Sequence, residues 1–520
     1  MRAVKEKIMT YSKELKKTLN YTSTGNGDLT YKSSLDNNLD LFYKAGGVRG
    51  NNYYGDKPSY DDYIKMFLKA FDEDPYLSIK NLFNIREFRV NGKGERDLYR
   101  SIMVEFSNRK PFLVSIFVNA GIIESIGRFD DLVDLYEKTK SNDVKTSIIS
   151  HINEVMHKDL DNMSDNKPVT LLAKWLPTNT RNKKVYSVAK SLASDLGLTY
   201  SVYRKKVSSL RKYLNVLENN MTRKDYASID YSKVPSRAFA KNTAAFYRND
   251  EERIKEFFEK VENGEEVIKT SGITPNEVVS KVIDSVSRWS SAKLSKEELQ
   301  ALELTWSSLV DSVKDSGNTL VMADVSASMT GVPMSVSVAL AILFAQSSTG
   351  EFHNMFMTFS GKPELIELSD SLSLSDNVKS VLESDWGYNT NIDGAFASIL
   401  DTAIRSHSKQ EELPERLVIV SDMQFDESGA AGSVHISRWK SLFKEQGYEL
   451  PVVVYWNVST SNGVPATSGE ENVALVSGFT PATLDAVLTA KDVTPRAVML
   501  EALNNPVYGF VEEIKNILSM

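Results

Sequence analysis

Asp324, Ser326 and Ser328 stand two residues apart in the stretch Thr319-Leu-Val-Met-Ala-Asp-Val-Ser-Ala-Ser-Met329. One carboxylate and two hydroxyls at that spacing form a set of oxygen donors. Hard divalent cations such as Mg2+ take oxygen ligands in near-octahedral geometry and usually keep some of their waters. A D-x-S-x-S loop supplies the oxygens and leaves room for the waters. Thr319 to Ala323 form an apolar run long enough for one buried strand and too short for a helix. The three donors therefore fall where a strand ends and the chain turns toward a helix. In that place a serine can also be an ordinary helix cap.

The elements that must position this loop repeat downstream. TLVMA is followed by a helical stretch, PMSVSVALAILFAQS, and then by HNMFMTFS, which reads as a strand. Helices are expected near 375–383 and 391–405, a strand at ERLVIVSD, a helix at 436–446, strands at PVVVYWNV and NVALVSGF, and a helix at 481–490. Alternation of this kind builds a parallel sheet with helices on both faces. Ligands in such sheets sit beyond the carboxyl ends of the strands. Asp324, Ser326 and Ser328 fall there. Asp422 closes the run Leu417–Ser421, with Asp426 just beyond, and Thr390 lies in Trp386-Gly-Tyr-Asn-Thr-Asn immediately before a helix.

The first part of the chain has a different period. Residues 1–20 read as a basic amphipathic helix, and 21–57 as loops with one helix-like piece at Leu39–Lys44. From Tyr60 to about Leu217 apolar residues recur at three and four, as in Ile64, Phe67, Leu68 and Phe71. Such helices in series imply a stacked helical array, although no repeat of fixed period appears. Further helices are expected from the charged run after Glu251 to near Gly264, over about 276–291, and up to Val310. Ser316-Gly-Asn318 breaks the pattern, which places a boundary near 305–317 and divides the chain into 1–305 and 306–520.

Charge divides the chain as well. Its net charge of −7 comes from residues 1–300, with 50 Lys and Arg against 41 Asp and Glu, and residues 301–520, with 12 against 28. Residues 171–250 are the most basic, 16 against 5. Within them VYRKKVSSLRKYLNVL reads as one helix with Arg204, Ser208 and Arg211 on a face and Lys205 and Lys212 beside it. Arg181, Lys183, Lys184 and Lys190 precede it, and Trp175, Tyr186, Tyr200, Tyr203 and Tyr213 are interleaved. A cationic stripe holds phosphates and nearby aromatics can stack on unpaired bases. The plainer alternative is a solvated helix face whose aromatics are core. Asn91-Gly-Lys-Gly-Glu-Arg96 poses the same choice. Its glycines would let amides approach a phosphate beside Lys93 and Arg96, or it is a loop between helices with Arg96 paired to a carboxylate.

The 520 residues contain no cysteine, so disulfides and Cys-ligated zinc are excluded. No segment reaches the roughly 18 uninterrupted apolar residues of a membrane span. A cytoplasmic place is expected, that of the host if the gene is a phage's. The five histidines form no H-E-x-x-H, and no nucleophile elbow surrounds Ser326 or Ser328. The acidic residues leave room for a Mg2+-dependent phosphatase or nuclease, with Asp324 as nucleophile or ligand and Asp422 and Asp426 on the metal. Against it, such enzymes want a second carboxylate two residues on, where this chain has Ser326.

The D-x-S-x-S loop at its strand end resembles the metal-ion-dependent adhesion site of von Willebrand factor A domains. The resemblance makes Asp324, Ser326 and Ser328 the first loop of that site, Thr390 the second and Asp422 the third. It implies Mg2+ or another divalent cation, bound directly by the hydroxyls and directly or through water by the aspartates, with a partner's acidic group completing the shell. Where the family usually has glycine before the threonine and after the third aspartate, this chain has Asn389 and Met423. DVSASM placed after a basic helical region also resembles the Ro autoantigen (TROVE) family. An uncharacterised family of phages, plants and fungi is similar over TSTGNGDLTYKSSLDNNLDLFY, NGKGERDLYRSIM, IGRFDDL, LLAKWLPT, YRKKVSSLRKYLNVLE, IDYSKVPSRAFAK and VALVSGF. These resemblances imply an N-terminal helical-repeat, HEAT-like domain followed by a von Willebrand A domain with a Rossmann-like parallel sheet. They imply a non-enzymatic scaffold that binds noncoding or single-stranded RNA and docks a protein partner through the metal. A protein-interaction or structural role without RNA is the other non-enzymatic reading.

Overall fold

The fold comes from a computed structural model that describes residues 19–24, 26–48, 59–179, 181–215, 217–286, 293–313, 315–358, 363–383, 392–425, 432–460, 463–490 and 492–519. The expected helix at 1–20 lies almost wholly outside them, as do Thr390 and Asp426.

A short hairpin of β1 (Tyr21–Ser23) and β2 (Leu29–Tyr31) precedes a mostly helical region that runs from Asn37 to Ser312. The helices start at local signals. Asp36 accepts the N–H groups of Asn38 and Leu39 at the head of helix Asn37–Ala45, and Asp74 caps Leu77 with Pro75 in the first turn of helix Pro75–Arg86. Side chains at such positions satisfy amides that have no partner inside the helix. Helices from Asp61–Glu73 to Tyr200–Tyr213 share one core, in which Phe67, Phe71 and Phe106 meet edge-on or tilted and Phe83 abuts Phe117. Helices Ser236–Asn249 and Glu251–Glu262 build a smaller core around Phe239, Phe246, Phe257 and Phe258.

A six-stranded sheet comes next along the chain. Its strands are β3 (Thr319–Ala323), β4 (Met355–Thr358), β5 (Leu365–Glu367), β6 (Arg416–Ser421), β7 (Val452–Asn457) and β8 (Val473–Ser477). They lie in the order β5-β4-β3-β6-β7-β8. Neighbours from β4 through β8 pair parallel, and β5 adds an antiparallel edge. β3, at the centre, is buried at every residue, as a strand covered on both faces must be. Helix Val332–Ser347 is apolar almost all round because it lies inside the sheet's core. Register aligns the strand exits. Ala323 pairs with Val420, and Ser421 with Asn457, so the loops leaving β3 and β6 emerge side by side.

Three features depart from the expectations. β5 is a strand that the pattern did not show, and residues 21–31, expected as loop, form the β1–β2 hairpin. Helix Lys296–Ser312 runs unbroken through the 305/306 division. The cores do not respect that division either. Helix Asn37–Ala45 sends Leu39, Phe42 and Tyr43 into the sheet's core and Leu41 and Ala45 into the helical core, while Tyr508, Val511 and Ile514 return to the helical core from the far end. Among the described residues no helix is long and apolar enough to cross a membrane.

Candidate functional site

β3 ends with the Asp324 N–H donating to Val420 O at 3.0 Å, the last bond of its ladder with β6. The Asp324 side chain is fully buried. Its Oδ1 accepts the N–H of Ser326 at 2.9 Å and its Oδ2 the hydroxyl of Ser421 at 2.6 Å. Ser326 and Ser328 place their Oγ atoms 3.0 Å apart, and the Ser328 hydroxyl bonds the Asp422 carboxylate. Asp422, 5% exposed, also accepts the N–H of Gln424 at 3.1 Å. The structure thus brings Asp324, Ser326, Ser328 and Asp422 together at the carboxyl ends of β3 and β6, and Thr390 lies outside the described residues.

Electrostatics set this cluster apart. Burial raises the Asp324 carboxyl above the usual carboxylate range, and the charge of Asp422 raises it further. Burial raises Asp422 as well. Among the described residues no Lys, Arg or His forms an ion pair with either acid. Two carboxylates and two hydroxyls are an all-oxygen donor set, and it fits a hard divalent cation. Among the described residues no group of three or more His, Cys, Asp or Glu side chains gathers for a metal.

Ser421 is the residue that sequence reasoning passed over. Its hydroxyl donates to Asp324 and accepts the N–H of Met423 at 3.0 Å, so it ties the first loop to the third. The signal was a small polar residue ending an otherwise apolar strand. Met423 has φ +62°. That left-handed conformation explains why glycine suits the position and what methionine offers instead: its side chain is 4% exposed in the sheet's core.

The basic residues separate into two kinds. Arg181, Lys183, Arg204, Lys205 and Lys212 are exposed, with no ion-pair partner among the described residues, on and beside the packed helices Lys183–Asp195 and Tyr200–Tyr213. Lys190 is exposed with its ammonium 4.7 Å from the Tyr186 ring centroid, and Lys184 pairs with Glu137 at 2.9 Å. Arg211 is a correction to the expected phosphate-binding face. Its guanidinium turns inward, donating to Ala173 O, Thr178 Oγ1 and Leu176 O at 2.6–2.7 Å. The aromatics make local contacts: Tyr203 is buried with its hydroxyl on Pro177 O, Tyr200 bonds Thr178 O, and Arg128 lies 4.2 Å from the Trp175 ring centroid. Tyr203 is therefore core, while Trp175, Tyr186, Tyr200 and Tyr213 remain half-buried.

Of the two readings of Asn91-Gly-Lys-Gly-Glu-Arg96, the contacts match a loop between helices with Arg96 paired to a carboxylate. Its backbone points inward. The buried Glu87 carboxylate accepts the N–H groups of Arg89, Val90, Asn91 and Gly92. Lys93 is 2% exposed and donates to the Ser477 hydroxyl at 3.0 Å, 3.9 Å from the Phe42 ring centroid. Burial pushes its ammonium down to about 7 against the nearby charge of Glu95. Arg96 pairs with Asp97 at 3.0 Å. The loop docks the helical region on the end of β8, with the Lys93 ammonium turned onto Ser477, while Lys93, Gly94 and Arg96 also line a cavity of about 690 Å3 shared with Arg89, Arg128 and Arg237.

Residues 134–319 match the family described as Domain of unknown function (DUF2828), and residues 318–506 match Domain of unknown function (DUF7788). Against the crystal structure of Deinococcus radiodurans RO (RSR) protein the chain aligns at a TM-score of 0.35 and 12% identity, over 77% of this chain and 93% of that one. Uncharacterized protein L728 of Acanthamoeba polyphaga mimivirus is 31% identical over 531 aligned positions, which cover 94% of this chain and 89% of the viral protein. Identity at that level along nearly the whole length shows that the chain belongs to the family of mimivirus protein L728.

Proposed function

We propose that this protein is a non-enzymatic RNA-binding scaffold whose sheet docks a protein partner through a divalent cation. One observation carries the reading: a group of exposed cations with no ion-pair partner among the described residues shares one helical surface, and two buried acids without one lie side by side in the sheet. Exposed cations at Arg181, Lys183, Arg204, Lys205 and Lys212 lie on the helical region, and the buried acids Asp324 and Asp422 lie at the rim of the sheet. Cations on a helix surface that no acid neutralises suit the phosphates of RNA, whose binding is driven by release of counterions. Noncoding RNA fits this face through its backbone.

At the rim, Asp324, Ser326, Ser328 and Asp422 would hold Mg2+ or a similar ion, with Thr390 as the fifth proposed donor. Such an ion, when bound, offsets the two buried negative charges and offers an open position to a carboxylate of the partner. Asp324 is held in place by Ser421 and the Ser326 amide, Asp422 by Ser328 and the Gln424 amide. Ser326 stands where a phosphoryl-transfer aspartate would have its second acid, and this favours docking over catalysis.

RNA binding is tested by filter retention of a mixed-sequence RNA hairpin between 50 and 300 mM KCl. The expected result is affinity that falls steeply with salt. Triple charge reversal at Arg204→Glu, Lys205→Glu and Lys212→Glu should weaken binding and lower the log–log salt slope by about 2. Salt-independent binding, no binding, or a slope unchanged by the triple variant would refute it.

A further inference from the structure

The β1–β2 hairpin reaches the rim of the sheet from about 400 residues upstream. Its tip is a closed turn: the N–H of Thr24 donates to Asp28 O at 2.7 Å and the N–H of Asp28 to Thr24 Oγ1 at 3.0 Å. The Thr24 hydroxyl then donates to Phe425 O at 2.9 Å, and the Asn26 amide to Gln424 O at 2.8 Å. These carbonyls lie two and three residues past Asp422, on the loop that Met423 turns away from β6.

The hairpin is itself anchored. Tyr31 and Val464 exchange backbone hydrogen bonds of 3.1 and 2.8 Å, and the Thr30 hydroxyl donates to Val464 O at 2.9 Å. A Cβ on Gly463 would lie 2.4 Å from Thr30 Cγ2, so this approach requires glycine. β2 also packs against helix Gly432–Glu445, which comes after the Asp422 loop. Next along the chain, Asp36 pairs with Arg496, and helix Asn37–Ala45 is buried between the sheet's core and the helical core. The loop carrying Asp422 is therefore gripped by a segment bolted to both halves of the molecule.

We propose that Thr24 and Asn26 are positioning residues that hold the Asp422 loop in its cation-binding arrangement. The hairpin thereby links the state of the rim to the helical region. This proposal rests on the reading of Asp324 and Asp422 as a divalent-cation site.

The test uses the full chain with Mn2+ as the probe, free ion being followed by electron paramagnetic resonance and stability by thermal melting with Mn2+ or EDTA. In the double variant Thr24→Val, Asn26→Ala, the Mn2+ Kd should rise about fivefold, the effect expected when two modest hydrogen bonds to the loop are lost. The Mn2+-induced gain in Tm should shrink accordingly, and Thr24→Ser, which keeps the hydroxyl, should bind as wild type. If the double variant does not fold, Asn26→Ala alone, at an exposed position, should still raise Kd about twofold. An unchanged Kd, with Tm lowered equally in Mn2+ and in EDTA, would show a merely structural hairpin and overturn the proposal. A wild-type chain that binds no Mn2+ would overturn the cation-site reading itself, and this proposal with it.

Discussion

Glu87 and Asp131 in the helical region and Asp324 and Asp422 at the sheet's rim are all buried carboxylates, but the chain surrounds them differently. Glu87 collects four backbone amides. Asp131 takes the guanidinium of Arg86 at 2.8 Å, that of Arg100 at 2.7 Å and the N–H of Arg128 at 3.0 Å. Asp324 has the amide of Ser326, the hydroxyls of Ser421 and Ser326 and, as its charged neighbour, a second acid rather than a cation. Burying a charge is costly unless something of opposite sign or a full set of donors compensates it. In the helical region the compensation is built in, so those acids are structure. At the rim no cation provides it among the described residues, and this is the contrast on which the proposed cation site rests.

The largest test of this contrast is Arg86→Ala. It removes one of the two guanidiniums that compensate Asp131, whose side chain is fully buried, and should cost about 3 kcal/mol in urea unfolding. A loss below 1 kcal/mol would mean that the helical acids do not depend on internal compensation.

Lys93 sharpens the comparison with a buried cation that lies near the buried acid Glu95. Its folded-state pKa of about 7 lies below the ordinary lysine value of 10.5. Between those values the unfolded chain binds a proton that the folded chain does not, so folding stability should rise as pH goes from 7 toward 10. The ceiling is about 1.4 kcal/mol per pH unit. Denaturant midpoints from pH 7 to 9 should climb in wild type and lose that component in Lys93→Met. An identical slope in the two proteins would place the lysine's charge elsewhere.

The smallest effect has the opposite sign. Asp324→Asn removes one of two facing acids, so in EDTA it should stabilise the chain by about 1 kcal/mol, where the same change at a compensated acid destabilises. Destabilisation in EDTA would erase the distinction between the two regions.

Much of this was legible in the residues. TLVMA before D-x-S-x-S marked a buried strand with oxygen donors at its exit, and the alternation after it marked the parallel sheet. What escaped was decided by contacts remote in sequence. β5 is the three-residue segment Leu-Ile-Glu, half exposed and held by pairing with β4, and so carries no pattern of its own. The hairpin is polar and short, and its partners are Val464 and the 424–425 carbonyls. Arg211 shares a helix face with Arg204, yet its length lets it turn back onto Ala173 and Leu176. The amides around Gly92 looked available for phosphate because nothing local showed that Glu87 had already taken those of Asn91 and Gly92.

The account stands or falls on whether the paired acids at the rim take a cation. Isothermal titration of Mg2+ into the full chain at pH 7.5 should show saturable binding at one site, lost in Asp324→Asn while the variant remains folded. No saturable heat in wild type, or the same binding in Asp324→Asn, would contradict it.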